Sequence, residues 1–553
     1  MKSLLIPLIT LFSSIYLSVN SQNYKWDWLK GGVNGFTAYQ NVTDNSGNTY
    51  VVGSIGQANT VIGTTTYNPI NGDGVLIKYD NNGNVLWSVV ISGNAGEVFS
   101  GISIDGSGNL FLTGMTEGTL VTIGSSTFSN SGAFSFPDIV PFISKFDSNG
   151  NLLFLKFIGH TNYLSAISLK IKVGTNSVLI YGSSLLSSTL SISNNTFVSQ
   201  NTDFFMASFD INANLNWVKF YSAPSYDFLS DLIVQKNDDV CFAGSTTSPS
   251  LTIENYTISN PTGTTNLGFV TLMNSMGNIK WLKTFSNADV SNPKLAALNT
   301  NAIYLGISFS SSALSIGSNT YASQNNDCLI SQIDSLGNYN WSKLISGNNG
   351  GRIGSLAVNQ NNYVYATGTS SSSVLSTSNY SVASSNTVNN LFFAAFDAHG
   401  KDWCILISSR PNSTSFSNII PFSISMDANN NGYIVGTNQL DLVCGSYTIS
   451  NTSQAPSFMA KIKLLNGVGI QESFLEKNEI NIFPNPASSV LNFNSQTFKI
   501  ASLEIYNTLG QSIYQKNYAD LNQSLDVSFL NAGVYFVKIQ NQFSQKTIKF
   551  IKE

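Results

Sequence analysis

The sequence predicts an all-β chain: a repeated array of antiparallel sheets followed by a second, smaller β domain. Three observations predict it. One phrase, acidic-x-x-Gly-Asn then an apolar triplet then Gly, recurs seven times. A second phrase of two alternating apolar runs around an Asx/Gly turn follows it six times. After residue 463 both phrases stop and a different alternating pattern begins. Alternation with period two is the mark of strands with one buried face, and tight Asx/Gly turns join such strands into hairpins.

The first phrase reads DNSGNTYVVG from Asp44, DGSGNLFLTG from Asp105, QKNDDVCFAG from Gln235, QNNYVYATG from Gln360 and DANNNGYIVG from Asp427, with looser copies ending at Gly182 and Gly306. Its terminal glycines, Gly53, Gly114, Gly182, Gly244, Gly306, Gly368 and Gly436, are spaced by 61, 68, 62, 62, 62 and 68 residues. Internal repeats of this length indicate units that cannot bury their faces alone and stack on neighbours. The second phrase runs VLIKYDNNGNVLW to Trp87, with counterparts ending at Phe154, Trp217, Trp281, Trp341 and Trp403. Together the phrases give four strands per repeat.

From each aromatic to the next first phrase is 18 residues in five of six cases, the exception being Trp403 to Asp427 at 24. The same offset backwards from Asp44 lands on Trp26, whereas the last repeat ends near Lys463 with no fourth-strand aromatic of its own. The N-terminal strand is therefore expected to complete the last sheet, giving a seven-bladed β-propeller over 22–463 with no exposed sheet edge. The tryptophans then read as packing between blades, and the Asp-x-x-Gly-Asn segments as turns. They lack the alternating carboxylates and distal Glu of an EF-hand loop. The pairing of GNTYVVG with VLIKYDNNGNVLW resembles the SBBP-type β-propeller repeats of exported bacterial proteins; that resemblance implies architecture and no particular reaction.

Residues 1–21, MKSLLIPLITLFSSIYLSVNS, place a lysine before a short apolar run and end with Val19 and Ser21 at peptidase spacing, predicting a signal peptide cleaved between Ser21 and Gln22. No later segment is long enough for a membrane helix. Residues 464–478 read as a linker, and 479–553 as a small β-sandwich. The boxes FPNP, LEIYNTLGQ and LNAGVYFVKI within it resemble the C-terminal sorting domain of the type IX secretion system. That resemblance implies Sec export, recognition of the tail by the outer-membrane machinery as partner, and a secreted or cell-surface address.

Charged residues make up 10% of the chain and the net charge is −4, with no basic stripe to neutralise a phosphate backbone, so nucleic acid is excluded as a partner. Four cysteines in four repeats, without ligand spacing, predict isolated buried thiols and no metal; no cofactor motif is present. Of two histidines, His399 falls in a tight turn and His160 in a loop between repeats. Strand parity puts the inter-repeat loops and the long gaps 115–141, 183–202 and 245–267 on one variable side, where binding is expected. His160, Tyr163, Tyr226, Asp227 and Arg352 are the candidate ligand-binding residues there. Glu97, Asp227, Asp231 and Asp289 lie near first-strand starts but share no motif, so no catalytic residue is assigned. The sequence reads best as an exported binding protein, adhesive or contacting a glycan or protein. A polysaccharide hydrolase or lyase, and a structural part of a surface assembly, are the alternatives.

Overall fold

The computed structural model describes residues 24–553 except 33–34, 57–58, 70, 131–138, 162–168, 185–187, 261–265, 286–287, 299–301, 311–312, 324–325, 385–388, 411–418, 439–440, 451–456, 466–480, 495–501, 518–523 and 541–544. The expected signal peptide, its cleavage site at Ser21 and Gln22, and Tyr163 fall outside the described residues. The described chain is all-β, without a helix, and divides into two units, Met1–Leu465 and Asn466–Glu553.

In the first unit each repeat forms an antiparallel sheet of four consecutive strands. The sheet of the second repeat, for example, pairs Glu97–Ile104 with Leu110–Thr116, then Val140–Phe146, then Leu152–Phe157. The last repeat supplies only three strands of its own, and Tyr24–Gly31 pairs antiparallel with Ser457–Leu464 as the fourth. Each first strand touches the first strand of the next repeat, and that of the seventh, Ile419–Met426, touches that of the first, Phe36–Thr43. The cores lie between sheets rather than within one. Tyr50, Val52 and Leu76 of the first repeat pack with Phe99, Ile102 and Leu110 of the second. Phe36, Val51 and Ile77 of the first pack with Val435 and Met459 of the seventh. Burial on both faces explains why the second and third strands are nearly continuous apolar runs.

The turns are held by their own side chains. At Asp44, Oδ1 accepts the amides of Ser46 and Asn48 at 3.0 and 2.9 Å while Oδ2 accepts Asn48 Nδ2 at 2.8 Å. The same pattern recurs at Asp80, Asp105, Asp147, Asp210, Asp334 and Asp427. These carboxylates are spent on the backbone, as Asx turns require.

The repeated glycine also has a tertiary cause. A bulge in each of six first strands lies opposite the second strand's glycine. A Cβ on Gly53, Gly114, Gly244, Gly368 or Gly436 would lie 1.9–2.2 Å from the carbonyl oxygen of Thr37, Val98, Phe228, Arg352 or Ile420.

Three sequence expectations need correction. The N-terminal strand pairs as expected, but a bulge between Trp26 and Trp28 places Trp28 opposite Lys461. That is the register Trp87 holds opposite Lys78. Trp28 also donates Nε1 to the Asn81 carbonyl, as Trp217, Trp281 and Trp341 donate to Ser275, Ser335 and Ala398 in the next repeat. In the sixth repeat Cys404, not Trp403, takes this register, opposite Ala395, because the turn before it is one residue shorter. Finally, the long gaps between second and third strands are not plain loops. Each repeat places a short hairpin there, such as Leu120–Ile123 with Ser126–Ser129, and in the second and sixth repeats it extends the outer strand of the preceding sheet. A covered outer edge is protected from pairing with other chains.

The second unit has two sheets, one of three strands and one of four, around Leu491, Leu503, Ile505, Leu525, Val537, Ile539 and Phe550.

Candidate functional site

The bulge carbonyls mark one position per repeat, near the loop end of the first strand. Thr37 and Val98 are half-buried there, whereas Phe228, Arg352 and Ile420 are exposed. Arg352 and Phe228 are thus equivalent residues of the sixth and fourth repeats, a relation that only the register discloses.

The fourth repeat is the most developed. Tyr226 and Phe228 are 49% and 37% exposed, and their rings are nearly parallel, 5° between planes and 6.4 Å between centroids. Alternation along the strand turns the residue between them, Asp227, into the protein, where it is fully buried. Its Oδ1 accepts Thr246 Oγ1 at 2.5 Å, its Oδ2 accepts Ser248 Oγ at 3.1 Å, and its amide donates to the Thr202 carbonyl. Burial raises its pKa to about 6, with the hydroxyl donors opposing. The Tyr226 amide donates to Thr247 Oγ1 at 3.0 Å and its carbonyl accepts the Thr247 amide at 2.9 Å. Asp227 is therefore no surface contact; it fixes the backbone from which the two rings project.

Glu97 occupies the same strand position in the second repeat and accepts Thr116 Oγ1 at 2.9 Å. Burial, and the neighbouring Asp73 and Glu117 carboxylates, push its pKa up to about 8. Asp289 accepts the amide and the side-chain nitrogen of Asn266 at 3.0 and 2.8 Å. Each carboxylate is engaged in local bonds, and among the described residues no cluster of His, Cys, Asp and Glu suits a metal.

His160 lies away from the first strands. It pairs with Ser191 where Gly159–Thr161 joins the hairpin of the third repeat. Its counterparts Asn94 and Asn348 accept the amides of Thr119 and Ser373, so this position anchors hairpins. His160, Tyr226 and Arg352 therefore come from different parts of the unit. The aromatic pair was legible only in part: Phe228 carries no motif, and its exposure depends on the bulge. All four cysteines are buried and free, and burial pushes the thiols of Cys328 and Cys404 up to about 12.

Three solved structures show partial likeness. A protein of unknown function from Dyadobacter fermentans DSM 18053 matches with 8% identity, covering 80% of this chain and 99% of that one at a TM-score of 0.36. The phage phi92 endosialidase matches with 9% identity over 96% and 87% of the two chains at 0.36. An ulvan lyase of polysaccharide lyase family PL25 matches with 6% identity over 71% and 88% at 0.33. No curated protein matches the chain. Residues 481–553 match the family of secretion system C-terminal sorting domains. They hold the FPNP box, the strand Ser502–Tyr506 and the strand Gly533–Gln540, and so carry the type IX sorting signal of a protein exported to the cell surface or the extracellular space.

Proposed function

We propose that residues 22–463 form a seven-bladed β-propeller closed by its N-terminal strand, and that this propeller is a binding module exported for contact with a surface glycan or protein. The route is Sec export through residues 1–21 followed by type IX recognition of the tail. The observation that carries the binding reading is the exposed, nearly parallel pair Tyr226 and Phe228 on a backbone pinned by Asp227. Exposed aromatic faces on a rigid strand offer apolar area at little cost in conformational freedom, which suits stacking against the apolar face of a sugar ring. Arg352, at the equivalent position two repeats on, adds a cation to the same side; His160 and Tyr163 belong to the loop side further out.

The test is retention of the purified mature protein on a panel of immobilised polysaccharides, with soluble products measured in parallel. At least one polysaccharide is expected to retain it without new reducing or unsaturated ends, and Tyr226→Ala with Phe228→Ala should weaken retention about tenfold or more. Unchanged retention in the double variant would refute the platform, and accumulating products would replace the binding module with an enzyme.

A further inference from the structure

Away from strand ends, the charge on the first strands is confined to three consecutive repeats: Lys170 and Lys172 in Lys170–Val173, Asp231 in Asp227–Val234, and Lys294 in Asp289–Ala296. The other first strands are neutral in their middles. Asp231 follows the bulge of its strand, the position held by Gln40 and Ser355 in the first and sixth repeats. There Gln40 Oε1 accepts the Ile102 amide and Ser355 Oγ accepts the Ile424 amide, each from the next first strand. Asp231 does the same, taking the Leu295 amide on Oδ2 at 3.0 Å. The link between neighbours thus needs an acceptor but no charge.

The carboxylate is already satisfied. Its Oδ1 accepts Tyr181 Oη at 2.9 Å and the Leu232 amide at 3.0 Å. All three lysines act on it electrostatically, and they outnumber it. Lys294 is 7% exposed and donates to Asn292 Oδ1 at 2.9 Å, while Lys170, Lys172 and Asp231 are half-buried and reached by solvent. Burial, then the charge of Lys170, lowers the Lys294 pKa to about 7, against the pull of Asp231 and with a further push from Lys172. Burial lowers Lys170 as well. Three ammonium groups around one fully hydrogen-bonded carboxylate leave two positive charges uncompensated in a confined, wetted place.

We infer that Lys170, Lys172 and Lys294 form a binding site for an oxyanion, a carboxylate, sulfate or phosphate group, beside Asp231 among the first strands of the third to fifth repeats. An anion there supplies the charge that the protein leaves unmatched, and a multivalent one is favoured over chloride because several donors converge on it. The site is separate from the aromatic pair and stands without it.

The mature protein is titrated with sodium sulfate, inorganic phosphate and glucuronate by calorimetry, with chloride holding ionic strength constant. Saturable binding to one or more of these is expected, weakening as pH rises above about 7 because Lys294 loses its proton while Lys170, Lys172 and the ionised Asp231 remain to face it. Lys170→Gln with Lys172→Gln should abolish binding, and Asp231→Asn should tighten it on the order of tenfold by removing the competing negative charge. Absence of saturable binding by the unsubstituted protein overturns the proposal, as does binding that the pH change and Asp231→Asn leave unaltered. That last result would mean that the lysines serve only to neutralise Asp231. The pH profile of the unsubstituted protein decides the matter even if the double lysine variant does not fold.

Discussion

A methyl group at Gly368 would sit 2.0 Å from the Arg352 carbonyl and 2.6 Å from the Phe392 ring, whereas one at Gly306 would meet first the flexible end of Ile353 at 3.0 Å. Backbone cannot yield as a side chain can. Gly368→Ala should therefore cost roughly 2–3 kcal/mol, and Gly306→Ala less than about 1 kcal/mol. Urea unfolding followed by tryptophan fluorescence measures both, and equal costs would refute the bulge as the cause of the repeated glycine. The glycine was visible in the sequence as a spacing; its reason was not, because the opposing carbonyl belongs to another strand. The turn aspartates are the contrary case. Asp80, Asp147, Asp210 and Asp334 bond residues two and four positions on, and those bonds hold their pKa values down against desolvation. Everything they touch lies within five residues, so sequence spacing suffices to find them.

The strand Tyr24–Gly31 shows how an element can be placed correctly and registered wrongly. Counting 18 residues back from Asp44 finds the strand, but the bulge between Trp26 and Trp28 shifts which indole reaches the next turn. A one-residue insertion in a strand is invisible to periodicity yet moves side chains between faces. The strand's packing is extensive: Tyr24, Trp26 and Leu29 are buried, and Tyr24 Oη bonds Tyr365 Oη at 2.8 Å across the junction with the sixth repeat. Removing residues 24–31 from the mature protein strips these contacts and bares the edge of Ser457–Leu464. The expected loss is on the order of 5 kcal/mol, with self-association through the open edge. Size-exclusion chromatography and thermal melting check this; a monomer melting like the intact protein would show that the strand is dispensable. The seven short hairpins were missed as elements. Their runs of three or four alternating residues are too short to stand out from loops, and pairing with the neighbouring outer strand gives them their order.

At the scale of the whole chain, the two units have separate cores, one set built between repeats and one around Leu503 and Val537. The tail should therefore be removable without unfolding the repeats. A chain lacking 479–553 is expected to keep the strand-rich circular dichroism and melting of the repeat unit while accumulating inside the cell; undiminished appearance at the surface or in the medium would contradict type IX export. By itself the sequence determined the all-β class, the repeat unit, its turns, the pairing of the N-terminal strand and the sorting tail. Each of these rests on alternation, local turn chemistry or a contiguous motif, which are properties of neighbouring residues. Only the tertiary structure decided that Asp227 is buried while Tyr226 and Phe228 face outward. It likewise decided that Arg352 matches Phe228 and that Lys170, Lys172, Asp231 and Lys294 act on one another. Those relations join residues up to about two repeats apart, and they exist because consecutive first strands pack side by side and bring distant charges into one low-dielectric neighbourhood.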